Sequence, residues 1–195
     1  MPFWTDATGK DPKRNFRFIV ELLAYPSSAK WYAKSVGKPN FSLGEAKHSY
    51  LNHTFHYPGR TTWDPIDVTL VDPVIPDAVA NTMAIIQNAG YHPPADPNDI
   101  STMSKARAVG ALNGVVIRQI DSEGVDMETW TLNNAFIQRV QMGQLTYDND
   151  DLAEITLTIK YDWATCTTAN ASAVDITRAP AGAIFEQRGT FFSTE

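Results

Sequence analysis

Residues Leu152 to Trp163 alternate too regularly to form anything but a strand. Ile155, Leu157, Ile159, Tyr161 and Trp163 fall on one face, and Glu154, Thr156, Thr158, Lys160 and Asp162 on the other. A helix, with 3.6 residues per turn, would scatter both sets around its axis. A strand of this kind needs core on one side and accepts water on the other. Phe16, Phe18, Val20 and Leu22 repeat the pattern near the N-terminus, and Ile66, Val68 and Leu70 alternate with Asp67 and Thr69. Val115 to Ile120 and Glu128 to Ile137 read as further strands. Trp31 to Val36 and His48 to Tyr57 are rich in the aromatic and β-branched residues that pleated surfaces favour. The chain is therefore expected to be mainly β.

One helix interrupts this pattern, over about residues 77–90. Asp77 can cap it and Pro76 discourages an earlier start. Val79, Met83 and Ile86 follow the spacing of a buried stripe, which Ala78, Thr82, Ile85 and Ala89 widen. Gly90 supplies the stop, and Pro93-Pro94 prevents resumption. A shorter helix is expected around Ile100 to Val109, capped by Asp99. With 195 residues and 43% hydrophobic content, the chain can bury one core. Residues 1–163 are read as one β domain. Residues 164–195 open on a small polar run and end in Ile184-Phe185 and Phe191-Phe192, so they are read as an arm contacting another subunit.

The chemistry-bearing residues are sparse. Cys166 is the only cysteine, which excludes an intrachain disulfide and a cysteine-based zinc cage. It has no basic neighbour in sequence to lower its pKa. His48, His53 and His56 are close in sequence. On one extended strand, however, His48 and His56 would lie roughly 26 Å apart and His53 would point the other way, so no metal is expected unless the segment folds back. Asp148-Asn149-Asp150-Asp151 starts like a calcium loop, but Ala153 and Ile159 stand where glycine and glutamate are needed. No phosphate loop, dinucleotide turn or nucleophile elbow is present. The expectation is a protein that is not an enzyme and that holds no cofactor and no metal. A formal charge of −6 argues against gripping phosphate, although it permits lying beside nucleic acid. No apolar run approaches a membrane span, and no secretory signal is visible at Met1-Pro2-Phe3-Trp4. Folding in a reducing cytosol fits the single thiol.

The order of these signals resembles a known family. An early Phe16-Arg17-Phe18-Ile19-Val20-Glu21-Leu22 strand precedes a hairpin region. Gly59-Arg60-Thr61-Thr62-Trp63-Asp64-Pro65-Ile66-Asp67-Val68 then leads to the helix. Later come Trp130-Thr131-Leu132-Asn133-Asn134-Ala135 and a last strand ending in Tyr161-Asp162-Trp163. Over roughly residues 14–163 this resembles the tail tube proteins of contractile-tailed bacteriophages, related to the tube proteins of type VI secretion. The Pro-rich 92–98 loop and the segment after Trp163 depart from compact members. The resemblance implies a two-sheet β-sandwich or barrel-like fold with one flanking helix. It also implies hexameric rings stacked into a hollow tube, placed in a virion tail and assembled in the host cytoplasm. Sheath and baseplate or tail-terminator proteins would be the partners, and the lumen would conduct DNA without specific binding.

On this reading the polar positions Asp67, Thr69, Glu154, Thr156 and Thr158 are candidates for the lumen or outer surface. A neutral or negative wall of short side chains would let DNA slide within a Debye length of about 10 Å. The Asn40 to Arg60 region is expected to project into the adjacent ring, with His48, Asn52 and His53 at the contact. The alternatives are a secretion-system tube, a tail-completion protein, or a small β-sandwich enzyme or binding module with a concave pocket of perturbed ionisable groups.

Overall fold

The computed structural model describes residues 12–26, 32–93, 102–148 and 150–169. Ten strands and two helices occur among them. The strands are β1 (Phe18–Leu22), β2 (Ala33–Val36), β3 (Phe41–Tyr50), β4 (His53–Trp63), β5 (Ile66–Val71), β6 (Val115–Ile120), β7 (Asp126–Asn133), β8 (Phe136–Met142), β9 (Glu154–Lys160) and β10 (Trp163–Thr168). The helices are α1 (Ala78–Asn88) and α2 (Lys105–Leu112). Sheet I runs β1-β6-β7-β10, sheet II runs β2-β5-β9-β8, and β3 pairs only with β4. All described pairings are antiparallel. The architecture is mainly β, as the alternation requires.

The core is what the alternation selects. Val20 and Leu22, Ile66, Val68 and Leu70, Val115 and Ile117, and Ile155, Leu157, Ile159 and Tyr161 are all buried in one cluster between the sheets. The strand rhythm nevertheless ends one residue pair early. Tyr161 is buried, but Trp163 starts a new strand and is exposed. Residues 164–168, assigned above to an arm, pair with β7 and bury Ala164. Residues 170–195 of the proposed arm, and the Pro-rich loop beyond Pro93, lie outside the described residues.

The expected strand from Glu128 to Ile137 is two strands in different sheets. Asn134, at φ 55°, turns the chain out of β7 in sheet I and into β8 in sheet II. The chain returns at Tyr161-Asp162, between β9 and β10. The two corners touch: the Asp162 amide donates to the Asn133 carbonyl at 3.1 Å and Asn134 Nδ2 donates to Asp162 Oδ2 at 2.8 Å. Lys105 of α2 donates to the same carboxylate at 2.6 Å. These hydrogen bonds, Lys105 first, hold Asp162 below the usual carboxylate range.

Asp77 caps α1, accepting from the Ala80 amide at 2.8 Å. The helix is rotated from the expected stripe. Ala78, Thr82, Ile85 and Ala89 are buried, whereas Met83 is exposed and Val79 and Ile86 are half-buried. Thr82 can sit inside because its hydroxyl donates to the Ala78 carbonyl at 2.7 Å, leaving its oxygen to accept from Tyr25 at 2.5 Å. The second helix starts later than expected. Ser104 caps it at the Arg107 amide, and Asn113, in the left-handed region, ends it. Asp99 and Ile100 lie outside the described residues. No described helix is long and apolar enough to cross a membrane.

Candidate functional site

The five polar positions named from sequence gather on one surface. Register pairs Asp67 with Thr158, Thr69 with Thr156, and Val71 with Glu154 across β5 and β9. Directly paired residues face the same way, so Asp67, Thr69, Glu154, Thr156 and Thr158 share the outer face of sheet II. Thr158 donates to Asp67 at 2.6 Å, and the Thr69 and Thr156 hydroxyls meet at 3.4 Å. On β8, Arg139 and Gln141 pair with Thr158 and Thr156 and extend the face. Lys34 pairs with Glu154, and Lys160 donates to the Trp63 carbonyl at 2.7 Å. The surface thus holds cations as well as Asp67 and Glu154. With Lys34, Arg139 and Lys160 it carries cations that the expected neutral or negative wall of short side chains does not.

A second threonine-rich surface escapes the sequence reading. Thr129 and Thr131 of β7 pair with Thr167 and Thr165 of β10 on the outside of sheet I. Arg118, paired with Glu21 and Asp126, lies on the same side. The signal is the alternation of Thr129 and Thr131 with inward Trp130 and Leu132, obscured because β10 was read as an arm.

His48, Asn52 and His53 lie at the end of the β3–β4 ribbon. The ribbon turns at Leu51-Asn52, so Tyr50 faces His53 and Lys47 faces His56. The segment from His48 to Tyr57 is therefore not one strand, and the fold-back needed to bring the histidines together does occur. Even so, no group of three or more metal-ligating side chains forms among the described residues. Ala46, His48, Tyr50, His53, Phe55 and Tyr57 form one face of the ribbon; Glu45, Lys47, Ser49, Thr54 and His56 form the other. Tyr50, Phe55 and Tyr57 are all exposed. His56 and Lys47 pair with Glu45 on the polar face.

The ribbon continues the β2–β5 pairing beyond the body of the protein. The Gly37 amide donates to the Asp67 carbonyl and the Asp64 amide to the Asn40 carbonyl, bridging the two ladders. At about 3.3 Å per residue, ten residues reach roughly 30 Å. Its root is fixed by Phe41 against Trp63 (4.9 Å between rings) and Trp63 against buried Tyr161 (5.9 Å). Burial, with Asp64 nearby, pushes the Tyr161 phenol up to about 12.

Between β1 and β2 the sandwich opens into a cavity of about 800 Å³, lined in part by Phe18, Lys38, Ile117, Gln119 and Trp130. Beside it lies Glu128, a buried carboxylate on the inner face of sheet I. Burial would push its pKa up, but hydrogen bonds from Lys13, Trp130 and Lys38 outweigh this and bring it down to about 2. Such a carboxylate stays ionised near neutrality and is a weak base, so it is poorly matched to proton transfer there. Burial, followed by the charge of Glu128, pushes the Cys166 thiol up, which lowers its reactivity.

No family model and no curated protein matches the chain. Solved structures do. A chain of the anti-feeding prophage cap, described as its tube terminating cap, superposes with a TM-score of 0.59 at 17% identity, covering 87% of this chain and 100% of that one. A chain from the sheath/tube terminator of PVC, an extracellular contractile injection system, in the extended state gives 0.60 at 16% identity, covering 82% and 99%. A chain from the sheath-tube complex of PVC gives 0.55 at 16% identity, covering 82% and 93%. The fold is shared with components of contractile tube assemblies.

Proposed function

We propose that this chain is a non-catalytic structural subunit of the tube of a contractile, phage-tail-like machine, assembling as hexameric rings that stack. One observation carries this reading: the ribbon formed by β3 and β4 is exposed almost throughout. A two-stranded hairpin is marginal at best in water, and an aromatic face of this size asks for a covering surface. The shared fold with tube-assembly chains supports the same reading.

Assembly then follows from the sheet edges. β1 and β10 border sheet I, and β2 and β8 border sheet II. Unpaired edges accept further strands, so neighbours joining edge to edge would turn six short sheets into a closed wall. The outer face of sheet II lines the channel in this reading. Its threonines tie to each other or to Asp67, Lys34 is paired with Glu154, and Lys160 is occupied by a backbone carbonyl. Tying up Lys34 and Lys160 leaves a polyanion few cations to grip on this face, exposed Arg139 being the exception. The cargo in this reading is a genome moving into a host, and the partners are sheath and baseplate or terminator proteins.

The second reading places the same subunit in the ring that ends the tube, or in a secretion tube. The cap and terminator chains among the similar structures favour the tube-ending position. Native mass spectrometry of the purified chain tests the shared part of both readings. Six-copy rings are expected, and a particle that stays monomeric at high concentration would contradict them. Rods growing from rings separate a repeating subunit from a terminal one, which would stop at single rings.

A further inference from the structure

The ribbon joins the body of the protein through two legs on one sheet. β2 leads into it through residues 37–40, and Asp64-Pro65 leads out of it into β5. β2 and β5 are neighbours in sheet II, and β3 pairs only with β4. Nothing in that connectivity stops the ribbon from swinging out of the plane of the sheet. The outgoing leg is held within sheet II, where Trp63 packs on Tyr161 and its carbonyl accepts from Lys160 at 2.7 Å. The incoming leg has a poorer hold there. β2 is only four residues long, and its register against β5 slips between Ala33 and Ser35.

That leg is tied to the other sheet instead. Lys38 lines the cavity between β1 and β2 and reaches the inner face of sheet I. Its ammonium donates to Glu128 Oε1 at 2.9 Å and to Gln119 Oε1 at 2.7 Å. Gln119 and Glu128 are direct partners across β6 and β7. They are 7% and 8% exposed and, with Thr82, make up the buried polar side chains among the described residues. The pair is oriented by its surroundings. The Trp130 indole donates to Glu128, and Gln119 Nε2 donates to the Arg14 carbonyl at 3.3 Å, which leaves the amide oxygen for Lys38. Lys13 adds a second ion pair to Glu128.

We propose that Lys38 is the positioning residue of the ribbon, a strut from its root across the open seam into the paired Gln119–Glu128 socket that sets the ribbon's angle to the sandwich. Stability alone does not account for a polar rung at this depth. The alternation of β6 and β7 asks for apolar side chains there, and replacing a buried ion pair by apolar groups of similar volume is often neutral or stabilising. A buried polar cluster selects one arrangement over its neighbours, and the arrangement selected here is that of the connector to the ribbon. The leverage is large. Facing sheets lie about 10 Å apart and the ribbon is roughly 30 Å long, so a displacement at its root grows about threefold at its tip. The proposal concerns the shape of the single subunit and so goes beyond the tube reading; within that reading, it explains how an exposed hairpin is aimed.

A distance measurement within one molecule tests this. In a Cys166→Ser background, spin labels are placed on Ser49→Cys near the ribbon tip and on Thr167→Cys outside sheet I, and the labelled chain is diluted in unlabelled chain. Pulsed electron paramagnetic resonance is expected to give one narrow distance distribution. Lys38→Met is expected to broaden or shift it by roughly 5 Å or more, as the lever implies, and Lys38→Arg to keep it narrow. A Lys38→Met distribution matching the parent in position and width would overturn the proposal. The triple variant Lys38→Met, Gln119→Leu and Glu128→Leu removes the socket without leaving a buried charge unpaired. It is expected to keep cooperative urea unfolding and to show the same broadened distribution. A narrow distribution there, or loss of cooperative unfolding, would overturn the proposal by making the rung a stability element. Assembly is the second readout. Only subunits whose ribbon is correctly aimed can join, so Lys38→Met should raise the concentration needed for rods roughly tenfold, with Lys38→Arg restoring it. A broadened ribbon with an unchanged threshold would overturn the strut's part in assembly. Absence of rods from the unmutated chain would sink the tube reading and leave the distance result to decide the proposal.

Discussion

Glu128 sits where the alternation of β7 asks for an apolar side chain, between the two sheets and against Trp130. Its stabilising contribution has a defined pH signature. The folded pKa is depressed to about 2, so the contribution is complete above the unfolded value near 4.5 and is lost as pH falls from there toward 2. Because Lys13 and Lys38 are each about half exposed, the effect is expected near 2 kcal/mol, below what the shift alone would give. Urea melts of wild type should lose stability through that window, and Glu128→Gln should flatten the loss; equal slopes would refute the assignment. The inward positions on β5, β6 and β9 were legible because alternation places apolar groups there without reference to the rest of the chain. Glu128 was not, because it depends on lysines 90 and 115 residues away. The α1 face was legible only in part: Ala78, Thr82, Ile85 and Ala89, read as the flank of a stripe along Val79, Met83 and Ile86, are its buried centre, because the contact of Thr82 with Tyr25 from a distant turn sets the rotation.

Corners and ribbons decide how the strands become an object. Asn134 and Asp162 carry the chain between the sheets, and both lie within the segments on which the family resemblance rests. Asp162→Ala removes hydrogen bonds from Lys105 and Asn134. It should cost about 1 kcal/mol, a modest figure because the carboxylate is partly solvated. Chemical denaturation measures it, and an unchanged midpoint would deny the corner a structural role. In the ribbon, Gly44 and Gly59 face one another at a register shift, and a Cβ on Gly59 would lie 2.9 Å from the Gly44 carbonyl carbon. Gly59→Ala is therefore expected to deform the ribbon and abolish rods while leaving the monomer melting temperature within a few degrees of wild type. A variant that still builds full-length rods would show that ribbon shape is not needed. The region's projection was readable from its Pro and Gly boundaries. Its exact strands were not, since Leu51-Asn52 is an unusual turn and a single-strand reading hid the aromatic face.

At the scale of the whole molecule, two amphipathic sheets leave two outer faces, and both carry threonines. The account places sheet II toward the channel and sheet I away from it. In assembled rods of the Cys166→Ser chain, Thr156→Cys should be shielded from a bulky maleimide reagent and Thr131→Cys should react freely, with both reactive in the monomer. The reverse pattern would turn the subunit around. The two-sheet arrangement came from the family resemblance and not from the residues alone, because alternation tells which side of a strand is dry but not which strands share a sheet. The cations of the sheet II face were hidden in the same way, since Arg139 and Lys34 reach it from separate strands. What underlies every scale is that the isolated subunit has a stable core but an unfinished surface. Electron microscopy of the purified chain over a range of concentrations tests this most directly. The account predicts six-fold rings at low concentration and hollow rods of uniform diameter at high concentration; dispersed single particles throughout the range would contradict it.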